Sequence, residues 1–113
     1  RVEIDRFRTT HMILRAVYVT IAPGRTKDYW NWADEIVALW DTHGIVRHDG
    51  PYKGTAPDGT DTAVWLTLHV SEQAAHDEFR SMYTTTEGRA LLEKRPALVA
   101  DTEVRNYTPF GSA

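Results

Sequence analysis

The chain has 113 residues, of which 42% are hydrophobic and 26% charged, with a formal net charge of -3 and no cysteine. This length and hydrophobic content predict one globular domain and argue against disorder. The slight acidity disfavours a nucleic acid partner, and no apolar run reaches the roughly 20 residues that a membrane-spanning helix needs. Without cysteine, disulfides and thiolate sites are excluded, which is compatible with the reducing cytoplasm where we expect the protein.

The N-terminal residues 1–11 are dominated by charge and are expected to form a loose arm or a short strand ahead of the domain. The domain itself is placed at residues 12–110. From Met12 to Ala22 the β-forming side chains predict a first strand, which Pro23-Gly24 ends.

A long helix is predicted next, with Thr26 as the expected N-cap and Gly44 as the expected C-cap. Its apolar side chains recur at helical spacing, as Tyr29, Ala33, Ile36, Val37 and Trp40, with Trp30, Trp32 and Leu39 widening the stripe. The stripe is wider than one packed face needs, so we expect the helix to cover a sheet and to make a further contact.

The second and third strands are predicted to form an antiparallel hairpin. Ile45 to about Lys53 predicts a bulged or edge strand, since Gly50-Pro51 interrupts it. Residues 54–60 predict a turn, and the third strand follows over Thr62–Val70.

The third strand divides its side chains between two faces. One face is aliphatic, with Val64, Leu66, Leu68 and Val70, and we expect it to pack under the helices. The other face is mixed, with Trp65, Thr67 and His69, and we expect it to meet a partner or a pocket.

The last helical region is predicted in two pieces. Ser71 is the expected N-cap of the first piece, and the β-branched run Thr84–Thr86 breaks the helix. The second piece runs from Glu87 to Arg95, where its charged side chains predict a solvated face, and Pro96 ends it. A final strand is predicted over Ala97–Tyr107.

The order βαββαβ predicts an α+β, ferredoxin-like fold, in which both helices lie on one face of a four-stranded antiparallel sheet. Four Trp, five Tyr and three Phe are many rings for so small an interior. We therefore predict a homodimer through the open sheet face, with two sheets packed into a barrel.

Short motifs along residues 12–110 resemble the NIPSNAP-like family of the dimeric α/β-barrel superfamily. They are the strand-turn Thr20-Ile-Ala-Pro23-Gly24, His43-Gly44, the aromatic third strand ending at Ser71, and the closing Asn106-Tyr107-Thr108-Pro109-Phe110. The resemblance implies the fold and the dimer more than a reaction, and the superfamily includes cofactor-free antibiotic-biosynthesis monooxygenases. Third strands of the family carry His, Trp and Tyr toward the cavity at alternate positions, where this chain has Trp65, Thr67 and His69.

Two histidines are the candidate catalytic residues. His69 lies on the mixed face, where an imidazole in an apolar pocket could act as an acid or base near neutral pH. His48 would join it if the strand register allows, and exposure on a weak edge strand is the alternative. The five histidines show no spacing typical of a metal site, so we expect neither a metal nor another cofactor.

Five further residues are candidates for substrate binding: Trp65 and Thr67 beside His69, Tyr18 on the first strand, Arg15 as a partner for a carboxylate, and Asn106 at the pocket mouth. The expected function is binding or transforming an apolar, aromatic small molecule by cofactor-free acid/base chemistry, as a monooxygenase, cyclase or isomerase would. The alternative is a non-catalytic interaction or sensor module. The pocket would lie between helices and sheet or at the dimer-facing surface.

Overall fold

The computed structural model describes residues 12–110; the predicted arm or short strand at residues 1–11 lies outside the described residues. The elements are, in chain order, β1 (Ile13–Ile21), α1 (Thr26–His43), β2 (Arg47–Thr55), β3 (Asp61–His69), α2 (Glu72–Tyr83), α3 (Thr86–Leu98) and β4 (Val99–Tyr107). The strands form one sheet in the order β2-β3-β1-β4, with every neighbouring pair antiparallel. The predicted ferredoxin-like α+β fold is confirmed.

The ends of α1 confirm one predicted cap and correct the other. Gly44 adopts the left-handed conformation, at φ 72°, that glycine reaches without a steric penalty, and it ends the helix as expected. Thr26 is the first helical residue rather than the N-cap, which is Arg25. Its hydroxyl donates a 2.6 Å hydrogen bond to the Asp61 carboxylate instead, so this side chain ties α1 to the start of β3.

The break between α2 and α3 lies where the threonine run predicted it. Ser71 caps α2 by accepting a 3.0 Å hydrogen bond from the Ala74 amide, as expected. Thr85 caps α3 in the same way by accepting from the Gly88 amide at 3.0 Å. Gly88 has no room for a side chain, because a Cβ there would collide with the Met82 carbonyl oxygen at the end of α2.

The prediction that Pro96 ends the helix is wrong, since α3 continues to Leu98. Proline interrupts a helix by removing an N–H and crowding the preceding turn. Pro96 is the third residue from the helix end, so only two helical residues follow it. The carbonyl of Leu98 accepts a 2.9 Å hydrogen bond from the amide of Ala22, which anchors the last turn to the end of β1.

The two faces of β3 are reversed from the prediction. Trp65, Thr67 and His69 are 5%, 2% and 1% exposed and point toward the helices, whereas Val70, predicted to lie under them, is 65% exposed. The alternation of side chains separates two faces but does not say which one the helices cover. The helices supply polar partners for the mixed face, and these partners make its burial favourable.

The aliphatic row of β3 lies on the opposite, open face of the sheet. Cross-strand pairing places Leu14, Ala16 and Tyr18 of β1 on this face, opposite the aliphatic side chains Leu68, Leu66 and Val64. We call these six residues, five aliphatic ones and Tyr18, the aliphatic sheet face. Among them Tyr18 is 37% exposed, and the helices of the described chain pack on the other side of the sheet.

Candidate functional site

A cavity of about 340 Å³ lies between the sheet and the three helices. The sheet contributes its helix-facing side chains and the helices contribute mostly aromatic ones. The lining residues are Arg15, Val17, Val19, Trp65, Thr67, Thr102 and Val104 from the strands, and Tyr29, Trp32, Ile36, Trp40, Phe79, Tyr83, Leu92 and Arg95 from the helices. Its size and largely apolar wall are typical of small-molecule sites.

The aromatic wall of the cavity is built from rings in contact with one another. Trp40 of α1 and Trp65 of β3 meet edge to face with ring centroids 5.0 Å apart. Phe79 and Tyr83, one helical turn apart on α2, stack at 6.2 Å. Such pairs add about 0.5–1.5 kcal/mol each beyond the area that they bury, so they stabilise the wall.

The hydroxyls of Tyr29 and Tyr83 are each held by an indole of this aromatic wall. The indole N–H of Trp65 donates to the Tyr29 hydroxyl at 2.8 Å, and that of Trp40 donates to the Tyr83 hydroxyl at 3.2 Å. An indole can only donate, so each tyrosine oxygen accepts and retains its own proton. Within residues 12–110 neither proton has an acceptor. Burial raises the pKa of both tyrosines, which keeps them protonated donors at neutral pH.

Two arginines add positive charge to the cavity. The Arg15 guanidinium lies 5.4 Å from the centroid of the Phe79 ring, and Arg95 donates a 2.9 Å hydrogen bond to the Thr102 hydroxyl. In the described part of the chain, no carboxylate lines the cavity and no ion pair neutralises either arginine. The cavity therefore offers several hydrogen-bond donors and positive charge, balanced by no acidic group.

Thr67 connects the cavity to a buried histidine. Its hydroxyl lies 2.7 Å from Nε2 of His69, and Nδ1 of His69 lies 2.8 Å from Oε1 of Glu78 on α2. The Glu78 side chain is 42% exposed, whereas the His69 side chain is fully buried. The three groups form a hydrogen-bonded chain from the cavity wall to the protein surface.

Three of the sequence-predicted site residues, Arg15, Trp65 and Thr67, line this one cavity. His69 stands directly behind Thr67. Asn106 lies in an adjoining depression of about 360 Å³, where its amide donates to Glu72 at 3.3 Å. The depression shares Arg15, Phe79 and Tyr83 with the cavity, so the two are neighbours.

Two predicted site residues lie elsewhere. Tyr18 is on the open sheet face, where its hydroxyl is 3.1 Å from that of Tyr107, and it does not line the cavity. His48 is exposed and has no registered partner on β3, because the pairing of the strands shifts between Arg47 and Asp49. The irregularity predicted at Gly50-Pro51 is present as a register shift between Asp49 and Tyr52, and the separate shift beside His48 leaves Arg47 as the partner of Thr67.

Several residues of the site were not predicted. Tyr29 and Tyr83 were assigned to the apolar helix faces, although a tyrosine on such a face brings a hydroxyl that must find a partner. Arg95 was placed on a solvated helix face, but it lies three residues before the end of α3, where its guanidinium bonds to Thr102 of β4. Glu78 carried no signal, since an exposed glutamate on a helix is common.

Within residues 12–110 no group of three or more His, Asp or Glu side chains is arranged to hold a metal ion. No helix in this range has the length and apolarity needed to cross a lipid bilayer.

The fold and site together define a ferredoxin-like α+β protein with a donor-rich aromatic cavity between sheet and helices. Solved structures with this fold include a NIPSNAP family protein from Agrobacterium tumefaciens, with a TM-score of 0.74 and 15% identity over 92% of this chain and 90% of that one. A NIPSNAP-like domain protein from Burkholderia xenovorans matches with a TM-score of 0.71 and 12% identity, covering 91% and 89% of the two chains.

A candidate antibiotic biosynthesis monooxygenase from Bacteroides thetaiotaomicron has the same fold, with a TM-score of 0.65 and 15% identity over 90% of this chain and 92% of that one. No protein-family profile matches the sequence, and no curated protein matches it. The resemblance to NIPSNAP-like proteins is therefore confirmed as a likeness of fold.

Proposed function

We propose that the cavity binds an apolar, aromatic small molecule that carries an anionic or electron-rich oxygen, such as a phenolate, an enolate or a carboxylate. The observation that carries this proposal is the imbalance of polar groups in an otherwise aromatic cavity. Arg15, Arg95 and the hydroxyls of Tyr29 and Tyr83 are all donors, and no carboxylate lines the same wall. A ligand oxygen would satisfy them, whereas a cationic ligand would be repelled.

We further propose that the bound molecule is transformed without a cofactor, by chemistry of the monooxygenase, cyclase or isomerase type. Support comes from a hydroxyl on the cavity wall that is backed by an imidazole, which is the minimum needed for proton transfer. The fold shared with candidate antibiotic biosynthesis monooxygenases agrees with this. A non-catalytic binding or sensor module would use the same cavity but return the ligand unchanged.

The aliphatic sheet face supports a second proposal, that two copies associate as a homodimer in the cytoplasm. Val64, Leu66 and Leu68 form a continuous apolar row in the middle of the sheet, on the side away from the helices. Such a row on an open sheet face marks a protein interface more often than a solvated surface. Covering it with a second sheet would leave the cavity, on the other side of β3, unchanged.

The binding proposal is tested by a thermal-shift screen of aromatic carboxylates and phenols against their neutral methyl esters and ethers. A variant that fills the cavity from its rim, Leu92→Trp, is compared with Val46→Trp, which adds the same ring at a position that does not line the cavity. We expect anionic compounds to stabilise the wild type and Val46→Trp and to have no effect on Leu92→Trp. Equal shifts in all three proteins would contradict the proposal, as would a preference for the neutral compounds.

Turnover is tested on the compounds that bind, by mass spectrometry after incubation in air with and without the protein. A product that appears with the wild type and not with Leu92→Trp supports the enzymatic proposal. Complete recovery of every bound compound would favour the non-catalytic module.

A further inference from the structure

The hydrogen-bonded chain Thr67–His69–Glu78 has one direction when His69 is neutral and Glu78 is ionised. An ionised carboxylate can only accept, so the 2.8 Å contact between Glu78 and His69 requires a proton on Nδ1. In a neutral imidazole Nε2 is then unprotonated, and it accepts from the Thr67 hydroxyl at 2.7 Å. The Thr67 hydroxyl proton then points toward His69, and its oxygen keeps a free lone pair on a residue that lines the cavity.

This arrangement makes Thr67 the one group of the cavity wall, among the described residues, whose oxygen is backed by a base. The arginines, the indoles and the two tyrosine hydroxyls all donate. His69 itself does not line the cavity and is 1% exposed, with both ring nitrogens already hydrogen-bonded. Any proton that His69 takes from a ligand must therefore pass through the hydroxyl of Thr67.

We propose that Thr67, His69 and Glu78 form a proton relay that deprotonates a weak oxygen or carbon acid bound in the cavity, an inference that rests on the proposed small-molecule site. The acidic proton moves from the ligand to Oγ1 of Thr67 as the hydroxyl proton of Thr67 moves to Nε2 of His69. The products are a ligand anion, an intact threonine and an imidazolium that Glu78 stabilises through Nδ1–H. One proton is transferred, and no oxidant or other reactant is consumed.

Strand pairing places a counter-charge for the new anion beside Thr67. Arg15 of β1 is the direct cross-strand partner of Thr67, so the two side chains leave the sheet side by side toward the helices. Arg15 also lies over Phe79, whose ring centroid is 5.3 Å from that of His69. The ligand anion would thus form between the Arg15 guanidinium and the Thr67 hydroxyl, which donates a hydrogen bond to it once the protons have moved. Thr67 is the catalytic residue in this scheme, and His69 and Glu78 act through it.

The relay is tested with 4-nitrophenol, whose phenol and phenolate forms absorb at different wavelengths. The phenolate fraction of the bound probe is measured by difference absorbance at one pH in the wild type, Thr67→Val, Thr67→Ser and Glu78→Gln. We expect the ratio of phenolate to phenol to fall about tenfold in Thr67→Val, which loses the hydroxyl but keeps the shape. Thr67→Ser should retain the wild-type ratio, and Glu78→Gln should lower it. His43→Gln, which alters an exposed histidine at the end of α1, is the matched control and should change nothing.

The experiment distinguishes failure of the relay from failure of the binding proposal. If the probe binds to the wild type and not to Leu92→Trp, but Thr67→Val shows the wild-type phenolate ratio, the relay is wrong and the binding proposal stands. If the probe does not bind, or binds Leu92→Trp equally well, both proposals are overturned.

A second measurement on the free protein does not depend on any ligand. Nitrogen-15 NMR of the histidine rings distinguishes the two neutral tautomers, and we expect His69 to carry its proton on Nδ1. Glu78→Gln should shift the His69 signals and leave those of His43 in place. A His69 proton on Nε2 would overturn the relay, since Thr67 could not then pass its proton on.

Discussion

The indole N–H of Trp65 on β3 and the hydroxyl of Tyr29 on α1 are joined by a buried 2.8 Å hydrogen bond that ties the sheet to the helix layer. The bond spans 36 positions of sequence and closes one side of the cavity. Trp65 is 5% exposed and Tyr29 is 1% exposed, so the bond is shielded from bulk water. The bond therefore helps to hold β3 and α1 together beside the cavity.

Replacing Tyr29 by phenylalanine should therefore destabilise the protein. The indole N–H of Trp65 would remain buried without an acceptor, which costs about 1–3 kcal/mol. The free energy of unfolding from urea titration provides the measurement. Tyr52→Phe is the control, since the Tyr52 hydroxyl bonds to Asp49 on the exposed surface of β2 and its loss should change stability far less. Equal effects of the two substitutions would contradict the importance of the buried bond.

Stability should also fall in alkaline solution. Burial raises the pKa of Tyr29 and of Tyr83 above the ordinary value of 10.0. The folded state holds these protons more tightly, so above about pH 10 the unfolded chain binds fewer protons and the free energy of unfolding decreases as pH rises. Urea titrations between pH 8 and pH 11 provide the measurement, and the slope should be shallower in Tyr83→Phe. A flat profile to pH 11 would contradict the burial of the two hydroxyls.

Gly88→Ala should be strongly destabilising, because its new methyl group would meet the Met82 carbonyl oxygen and the Tyr83 backbone, neither of which can move without shifting α2. We expect a loss of about 1–3 kcal/mol, typical of overpacking. In Gly54→Ala the methyl group would meet only the Thr62 hydroxyl, on an exposed edge strand, so a smaller loss is expected. Thermal unfolding followed by circular dichroism compares the two, and a Gly88→Ala protein as stable as Gly54→Ala would contradict the close approach of α2 and α3.

The proposed dimer predicts that a charge on the aliphatic sheet face separates the two copies. Leu66→Glu would bury two unpaired carboxylates per dimer and should weaken association about 100-fold or more. Ala90→Glu places the same charge on the exposed side of α3 and should leave the dimer intact. Light scattering after size exclusion measures the mass of each variant. A monomeric wild-type protein would refute the dimer outright.

Strand β3 shows most clearly which structural features the sequence predicts and which it does not. The spacing of its side chains predicted the strand within one residue at each end, and grouped Trp65, Thr67 and His69 correctly on a single face. It could not say that this face lies under the helices, because that depends on Tyr29 and Glu78, which are 36 and at least nine positions away in the chain. Local patterns predict elements, whereas polar partners brought together by folding decide which face is buried.

His69 and His48, the two candidate catalytic residues, show the same limit of local sequence patterns. His69 and His48 have similar local settings on neighbouring strands, and only the register separates them. A shift in the β2–β3 pairing leaves His48 exposed, whereas His69 is enclosed between Thr67 and Glu78. Registers disturbed by a bulge cannot be read from alternation alone.

Strand β3 thus presents two surfaces that share a backbone but no side chain. Substitutions at Val64, Leu66 and Leu68 can change what the sheet meets without altering the shape of the cavity, and substitutions at Trp65 and Thr67 can change the cavity without altering the outer surface. Deleting a single residue in the middle of the strand would exchange the two sets downstream of the cut. Point substitutions can therefore change the ligand that the cavity binds and the association of the sheet surface independently. A change of strand length would disturb both at once.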